Sequence, residues 1–282
     1  MIPDRVAVLD WSAARGRRQG RDSIWLGACS AAGETTENLP TRSAAETRLA
    51  EMVAATLAAG ERLLLGADFA FGWPRGLAAA LTGRAEALAV WDWLAAQVRE
   101  TPGHGSTYRE VAAAINRRFP GGGPFWGNGE TRPTPDLPRR KPALPPGLAE
   151  HRATELAARD GTAVPKTVWQ LAGAGAVGAQ ALTGVPVLWR LRTAFAPAVA
   201  VWPFEPPDRP VVLAEVYPSL LAAAVRAEGG VPDAAQVRLL ARALWRLGQR
   251  DDLAPLLDPG DPEEGAILGA GQADLLRRAL AA

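Results

Sequence analysis

The sequence predicts an α/β protein with at least one parallel strand pair. Three observations carry this reading. Two short apolar runs lie near the start, a helix-period segment follows them, and a third apolar run comes after that. The first run, Arg5-Val6-Ala7-Val8-Leu9-Asp10, ends on a carboxylate, and the second spans residues 23–29. Between them residues 14–21 form a polar, glycine-containing hairpin tip. Residues 44–59 carry apolar positions three and four apart, the spacing of an amphipathic helix. Residues 62–68 then give a buried-strand pattern that again ends on an aspartate, Asp68.

The middle of the chain has a different texture. Residues 84–99 and 106–118 read as helices, whereas 121–147 is crowded with proline and glycine. A structureless stretch of that length more often lids a site than fills a domain. Residues of about 101–165 lack the periodicity for a core of their own. They are read as an insertion in one domain spanning 1–282. Regular structure resumes with a helix near 166–182, strands at 198–202 and 211–216, and a helix over 234–247 that starts beside Asp233.

Composition narrows the function classes. The chain has 282 residues, 48% of them hydrophobic, and a net charge of +1. That is enough to bury a sizeable core. One cysteine, Cys29, excludes a disulfide framework and a cysteine-built zinc site, and two histidines are too few for a histidine-rich metal centre. No apolar run reaches the ~18 residues of a membrane span. Residues 1–5 run into a charged strand rather than a signal-peptide pattern. A cytoplasmic protein without a membrane partner is expected. Lysine occurs at Lys141 and Lys166 alone, so 29 of the 31 basic residues are arginine. Such a coding bias weakens arguments from arginine-rich stretches.

Chemistry is concentrated in carboxylates. Asp10, Asp68 and Glu215 each end or close a predicted strand, and Asp233 stands in the first turn of a late helix. Residues at the carboxyl ends of adjacent parallel strands converge on the edge where ligands bind. Taken singly, each acid also suits a turn or a helix cap, and Asp233 is well placed as an N-cap. Taken together, without histidine or cysteine, they are hard oxygen donors suited to Mg²⁺ or Mn²⁺. Two such ions ~4 Å apart can hold the attacking and leaving oxygens of a phosphoryl transfer.

Four short motifs carry a resemblance. They are Leu9-Asp10-Trp11-Ser12, the stretch Gly66-Ala67-Asp68-Phe69-Ala70-Phe71-Gly72-Trp73-Pro74, Ala214-Glu215-Val216-Tyr217-Pro218, and Glu263-Glu264-Gly265-Ala266-Ile267-Leu268. In order and spacing the chain resembles the domain of unknown function 429 family, a group predicted to be nucleases of the ribonuclease H fold. The resemblance implies a ribonuclease H-like mixed sheet flanked by helices, with the helical, Pro/Gly-rich insertion over its acidic edge. It places Asp10, Asp68 and Glu215 at the strand carboxylates and Asp233 on the last core helix, and implies metal-dependent phosphodiester hydrolysis. Two departures stand out: the family's repeated Asp-Ala pattern is reduced to Asp233-Ala234-Ala235-Gln236, and Ala266 replaces a tryptophan.

Other candidates complete the site. Arg15 and Arg17, with Arg18 and Arg21, lie on the tip beside Asp10, where they suit a polyanionic backbone or simply a solvated loop. Lys166 sits in an apolar neighbourhood as a possible phosphate contact. Trp73 and Trp126, in Gly/Pro-rich loops, are candidate stacking platforms for a base, and His104 is a candidate for proton transfer. The insertion is expected to bring Arg132, Arg139, Arg140 or Lys141 toward the acids, offsetting repulsion between carboxylates and phosphate. Residues 173–178 spell Gly-x-Gly-x-x-Gly, but Pro186 and the distance to Glu205 argue against a dinucleotide fingerprint. Nucleic acid is the expected partner. Two other classes stay open: an ATP-binding phosphotransferase of the actin-like or sugar-kinase type, and a non-catalytic binding protein with a relict site.

Overall fold

A computed structural model describes residues 2–130, 134–161, 164–257 and 260–281. Its strands are β1 (Arg5–Asp10), β2 (Ile24–Ser30), β3 (Gly33–Leu39), β4 (Leu63–Ala67), β5 (Glu100–Thr101), β6 (Gly105–Ser106), β7 (Val199–Val201) and β8 (Val211–Glu215). The helices are α1 (Arg42–Ala58), α2 (Leu77–Thr82), α3 (Ala87–Gln97), α4 (Tyr108–Asn116), α5 (Ala153–Ala157), α6 (Gly178–Ala194), α7 (Ala222–Glu228), α8 (Pro232–Gln249) and α9 (Ala273–Ala281).

Six strands form one mixed sheet in the order β3-β2-β1-β4-β8-β7, and β5 pairs with β6 in a small hairpin. The β1-β2-β3 portion is an antiparallel meander, and β4, β8 and β7 continue it parallel to β1. Alternation along each central strand divides the core between two faces. Ala7, Leu9, Leu63, Leu65, Val211 and Leu213 join the cluster that includes residues of α1, α3 and α6. Val6, Val8, Leu64, Val212 and Ala214 join the cluster with α7, α8 and α9. Because both faces are covered, the parallel strands read as continuous apolar runs, which made them legible.

Strand β3 and helix α6 depart from the sequence reading. Strand β3 was not expected: Gly33-Glu34-Thr35-Thr36 is exposed and polar, so this edge strand carries no apolar signal. The helix expected over 166–182 starts at Gly178 instead, because Gly173 and Gly175 take left-handed φ of 113° and 71° and hold an irregular turn. A Cβ at residue 178 would lie 2.4 Å from Val168 O, so glycine is required where the chain enters α6. Pro186 does not end that helix. It sits inside α6, whose residues from Thr183 to Leu188 are all buried, so tertiary packing on several sides offsets the lost backbone hydrogen bond.

The described residues of 121–147 do not line the acidic edge. Asn116 ties it to α4, with Nδ2 donating to Phe125 O and Asp136 O, and Phe125 and Leu137 enter the α6-side core. The residues that reach the edge come later, at 152, 155, 164–166 and 173–177.

Candidate functional site

Strands β1 and β4 lie in parallel register, with Leu9 opposite Ala67. The next residue on each chain, Asp10 and Asp68, therefore emerges at the same carboxyl edge. The Asp68 N–H donates to Leu9 O at 3.1 Å, and Asp68 Oδ1 accepts from the Trp11 N–H at 2.8 Å. The two carboxyls lie close enough to hydrogen-bond to each other, a bond that takes one proton between them.

The charges bearing most on this pair are acids. Burial raises Asp10 well above the ordinary aspartate range, and Asp68, Asp233 and Asp22 add to the rise. Burial, with Asp233 adding, pushes Asp68 up to about 6 against the Asp10 and Trp11 hydrogen bonds that lower it. Asp233 is half-buried and likewise raised, first by burial. It does not cap α8, whose N-cap is Val231. Instead its Oδ2 accepts the N–H of Asp22 at 2.6 Å and fixes the β1–β2 loop, where Asp22 takes a left-handed φ of 56°.

Glu215 is engaged elsewhere. It pairs in register with Ala67, one residue before Asp68, so the pleat turns its side chain to the opposite face. There Arg152 donates through Nη2 and Nη1 to its two oxygens at 2.6 and 2.7 Å, and the Phe71 N–H donates at 2.9 Å. Burial pushes Glu215 above the ordinary glutamate value while Arg152 and Phe71 pull against it. Arg152 is 1% exposed; its Nε donates to Glu155 at 2.9 Å and its Nη1 to Glu264 O at 3.0 Å. The structure thus brings Asp10 and Asp68 together with Asp233 nearby, and gives Glu215 to an arginine.

These groups line a cleft of about 520 Å³ whose other walls are Ser12, Lys166, Gln180 and the turn 173–177. Lys166 is exposed there as the sequence suggested. Among the described residues no three acid, histidine or cysteine side chains gather into a ready-made metal cage. Two adjacent hard-oxygen donors nevertheless fit Mg²⁺, which retains waters and is held by one or two carboxylates plus substrate phosphates.

The remaining candidates fall elsewhere. Arg15 lines a second cleft, and Arg17 is exposed and lines neither. Trp73 is 2% exposed and packs in the core, so it presents no face to a base. Trp126 is half-buried, packs against the same core and pairs by backbone with Trp169 and Leu171. His104 stands on the exposed β5–β6 turn, outside the acid cleft. Arg139 and Arg140 are exposed away from the acids, Lys141 pairs with Glu150 at 2.6 Å, and Arg132 lies outside the described residues. Sequence reasoning missed Arg152 and Asp22. Neither sits in a motif, and the one available signal was a charged His151-Arg152 and Glu155 set opening a short helix.

The acid pair makes stability depend on pH. Between the unfolded aspartate value and about 6 the folded chain binds more protons than the unfolded one, so this pair's contribution falls as pH rises through that window. Asp68→Asn still accepts from the Trp11 N–H and donates to Asp10. Its Tm advantage over wild type in EDTA should grow from near zero at about pH 4 to several degrees above about pH 7, since a two-unit shift is worth about 3 kcal/mol. Thermal denaturation across that range checks this; an advantage independent of pH rejects the coupled pair.

Among the described residues no helix is long and apolar enough to cross a membrane. Comparison with protein-family models, curated proteins and solved structures finds no match.

Proposed function

We propose that this protein is a divalent-metal-dependent hydrolase of phosphodiester bonds, with nucleic acid as its substrate class, on a ribonuclease H-like sheet. One observation carries the reading: the raised carboxyls of Asp10 and Asp68 meet at one sheet edge in an open cleft, two hard-oxygen donors side by side. Groups with strongly shifted proton affinity in a cleft are characteristic of functional sites. The antiparallel meander continued by parallel strands, with acids at the carboxyl ends of β1 and β8 and just past β4, supports the fold named by the resemblance.

Asp10 and Asp68 would hold Mg²⁺ or Mn²⁺, with Asp233 beside them. Such an ion supplies charge to offset the phosphate and lowers the pKa of its water. To act as ligands, Asp10 and Asp68 would give up the proton they share. Asp233 fixes the loop that carries Ser12 and Asp22. Lys166 faces the cleft as a cation for a phosphate oxygen. Arg152 neutralises Glu215, which would otherwise add a further charge against an anionic substrate.

The test is hydrolysis of bis(p-nitrophenyl) phosphate by purified protein with Mn²⁺ or Mg²⁺, abolished by EDTA. Metal at about 100 times its Kd should also add about 2.7 kcal/mol of stability, several degrees of Tm. Metal stabilisation without turnover would reject the hydrolase and favour a binding protein. A second reading, phosphotransfer from ATP, is favoured by the glycine turn 173–177 lining the same cleft as Ser12. It predicts a larger Tm rise with ATP than with an oligonucleotide.

A further inference from the structure

A second cleft, of about 750 Å³, adjoins the acid cleft, and the two share Gly173, Ala176 and Gln180 as a common wall. Their charges are opposed. Asp10, Asp22, Asp68, Glu155, Glu215 and Asp233 outnumber Arg152 and Lys166 in the first. In the second, Arg15, Arg18 and Arg109 outnumber Glu110 and Glu130.

The arginines of the second cleft are not equivalent. Arg109 stacks on Tyr108 at 4.7 Å, and its Nε donates to Asn128 O at 2.7 Å and approaches Glu130 at 3.5 Å. Arg15 and Arg18 are exposed and form no ion pair among the described residues. Their loop is nevertheless held in place. Buried Arg42 donates to Ala14 O at 2.8 Å, to His104 O at 2.8 Å and to Gly105 O at 3.0 Å, while pairing with Glu100 at 2.6 Å. That joins the arginine loop to the β5–β6 hairpin. On the same hairpin Ser106 lines this cleft, although its Oγ itself is buried. Two exposed arginines on a braced loop, in a cleft where cations outnumber acids, describe a place for an anion with several acceptor oxygens.

We propose that the second cleft holds the phosphates next to the scissile one, so that a single-stranded nucleic acid passes from the acid cleft over the Gly173–Ala176 turn onto Arg15 and Arg18. This rests on the phosphodiester reading of the acid cleft. Opposed charge sets the order: the acids repel a phosphate until a cation is bound, whereas the arginines attract one at all times. The strand is therefore anchored at the second cleft independently of metal. A single strand is required because the path turns over a shared wall between two pockets, each of small-ligand size. A duplex is too stiff and too wide for that turn.

The test is fluorescence anisotropy of a short labelled oligodeoxythymidine with wild-type protein in EDTA, across a salt series. Binding is expected without metal. Arg15→Ala/Arg18→Ala should weaken it roughly 10-fold and flatten the slope of log K against log salt by about 1.4, the loss of two phosphate contacts on a single strand. Both arginines are exposed, so folding is preserved, and Arg15→Glu/Arg18→Glu should weaken binding further. An unchanged affinity and slope in both variants overturns the proposal, as does equal competition by a blunt duplex. Failure of the hydrolase reading is separately visible: wild-type protein would bind the oligonucleotide through these arginines yet leave bis(p-nitrophenyl) phosphate intact.

Discussion

Asp10→Asn is expected to lower metal-dependent phosphodiester turnover at least ~100-fold, the upper end of what disturbing residues around a metal ligand already costs. The same substitution should raise Tm in EDTA. Both effects come from one cause. Asparagine keeps the size of the side chain and donates from its amide to Asp68, so the partner's carboxylate gains a neutral donor where it had a competing acid. The proton that the native pair must share is no longer needed, and the repulsion from Asp68 that adds to the rise in Asp10 is relieved. The cation site, by contrast, loses one of its two anionic donors. The Tm rise that Mg²⁺ gives the native protein should shrink in the variant, because metal stabilises only to the extent that it binds the folded site. Matched kinetics and melting curves, with and without metal, check the two signs together. Native turnover in Asp10→Asn would reject the carboxylate mechanism, and a fall in Tm would mean that Asp10 is a structural acid.

The parts of this site that were legible in the sequence are those fixed by local pattern. The runs at 5–10, 62–68 and 211–216 declare themselves as buried strands because both sheet faces are covered, and their terminal acids mark the carboxyl edge. That same double burial hid the fact that matters most for chemistry. An amphipathic strand reveals which residues share a face, whereas a uniformly apolar strand does not. Nothing in Val211-Val212-Leu213-Ala214-Glu215 tells whether Glu215 sides with Asp10 or against it. The register decides: Glu215 aligns with Ala67, whereas Asp68 follows one residue later, and one residue is one face. Trp73 misled for a related reason. Gly72 and Pro74 suggest an exposed loop, but a Cβ at residue 72 would lie 2.4 Å from Glu264 O, so that glycine marks a close crossing of two buried segments. Arg152 was hard to single out because, apart from Glu155 three residues on, its partners lie 63 and 112 residues away.

Arg152→Met is expected to destabilise the protein by about 3–5 kcal/mol, the cost of removing one partner from a buried ion pair. For a chain of this size that is a Tm fall of roughly 10 °C. The loss exceeds that of any surface pair because Arg152 makes contacts that nothing else replaces. It holds both oxygens of Glu215, one of Glu155 and the carbonyl of Glu264, so β8, α5 and the closing 263–268 segment all end on one guanidinium. Methionine fills much of the volume but leaves Glu215 buried with the Phe71 N–H as its remaining donor. Neutralising Glu215 should recover part of the loss: in Arg152→Met/Glu215→Gln the amide oxygen still accepts from Phe71, and buried Glu155 keeps His151 and the residue-152 N–H as partners. The coupling energy from the double-mutant cycle should therefore be large and of rescuing sign. Such a result assigns Glu215 to holding the cleft wall rather than to binding the cation. If Arg152→Met melts within about 1 kcal/mol of wild type, a range ordinary for surface substitutions, then Glu215 is held by other groups and is free to turn toward Asp10.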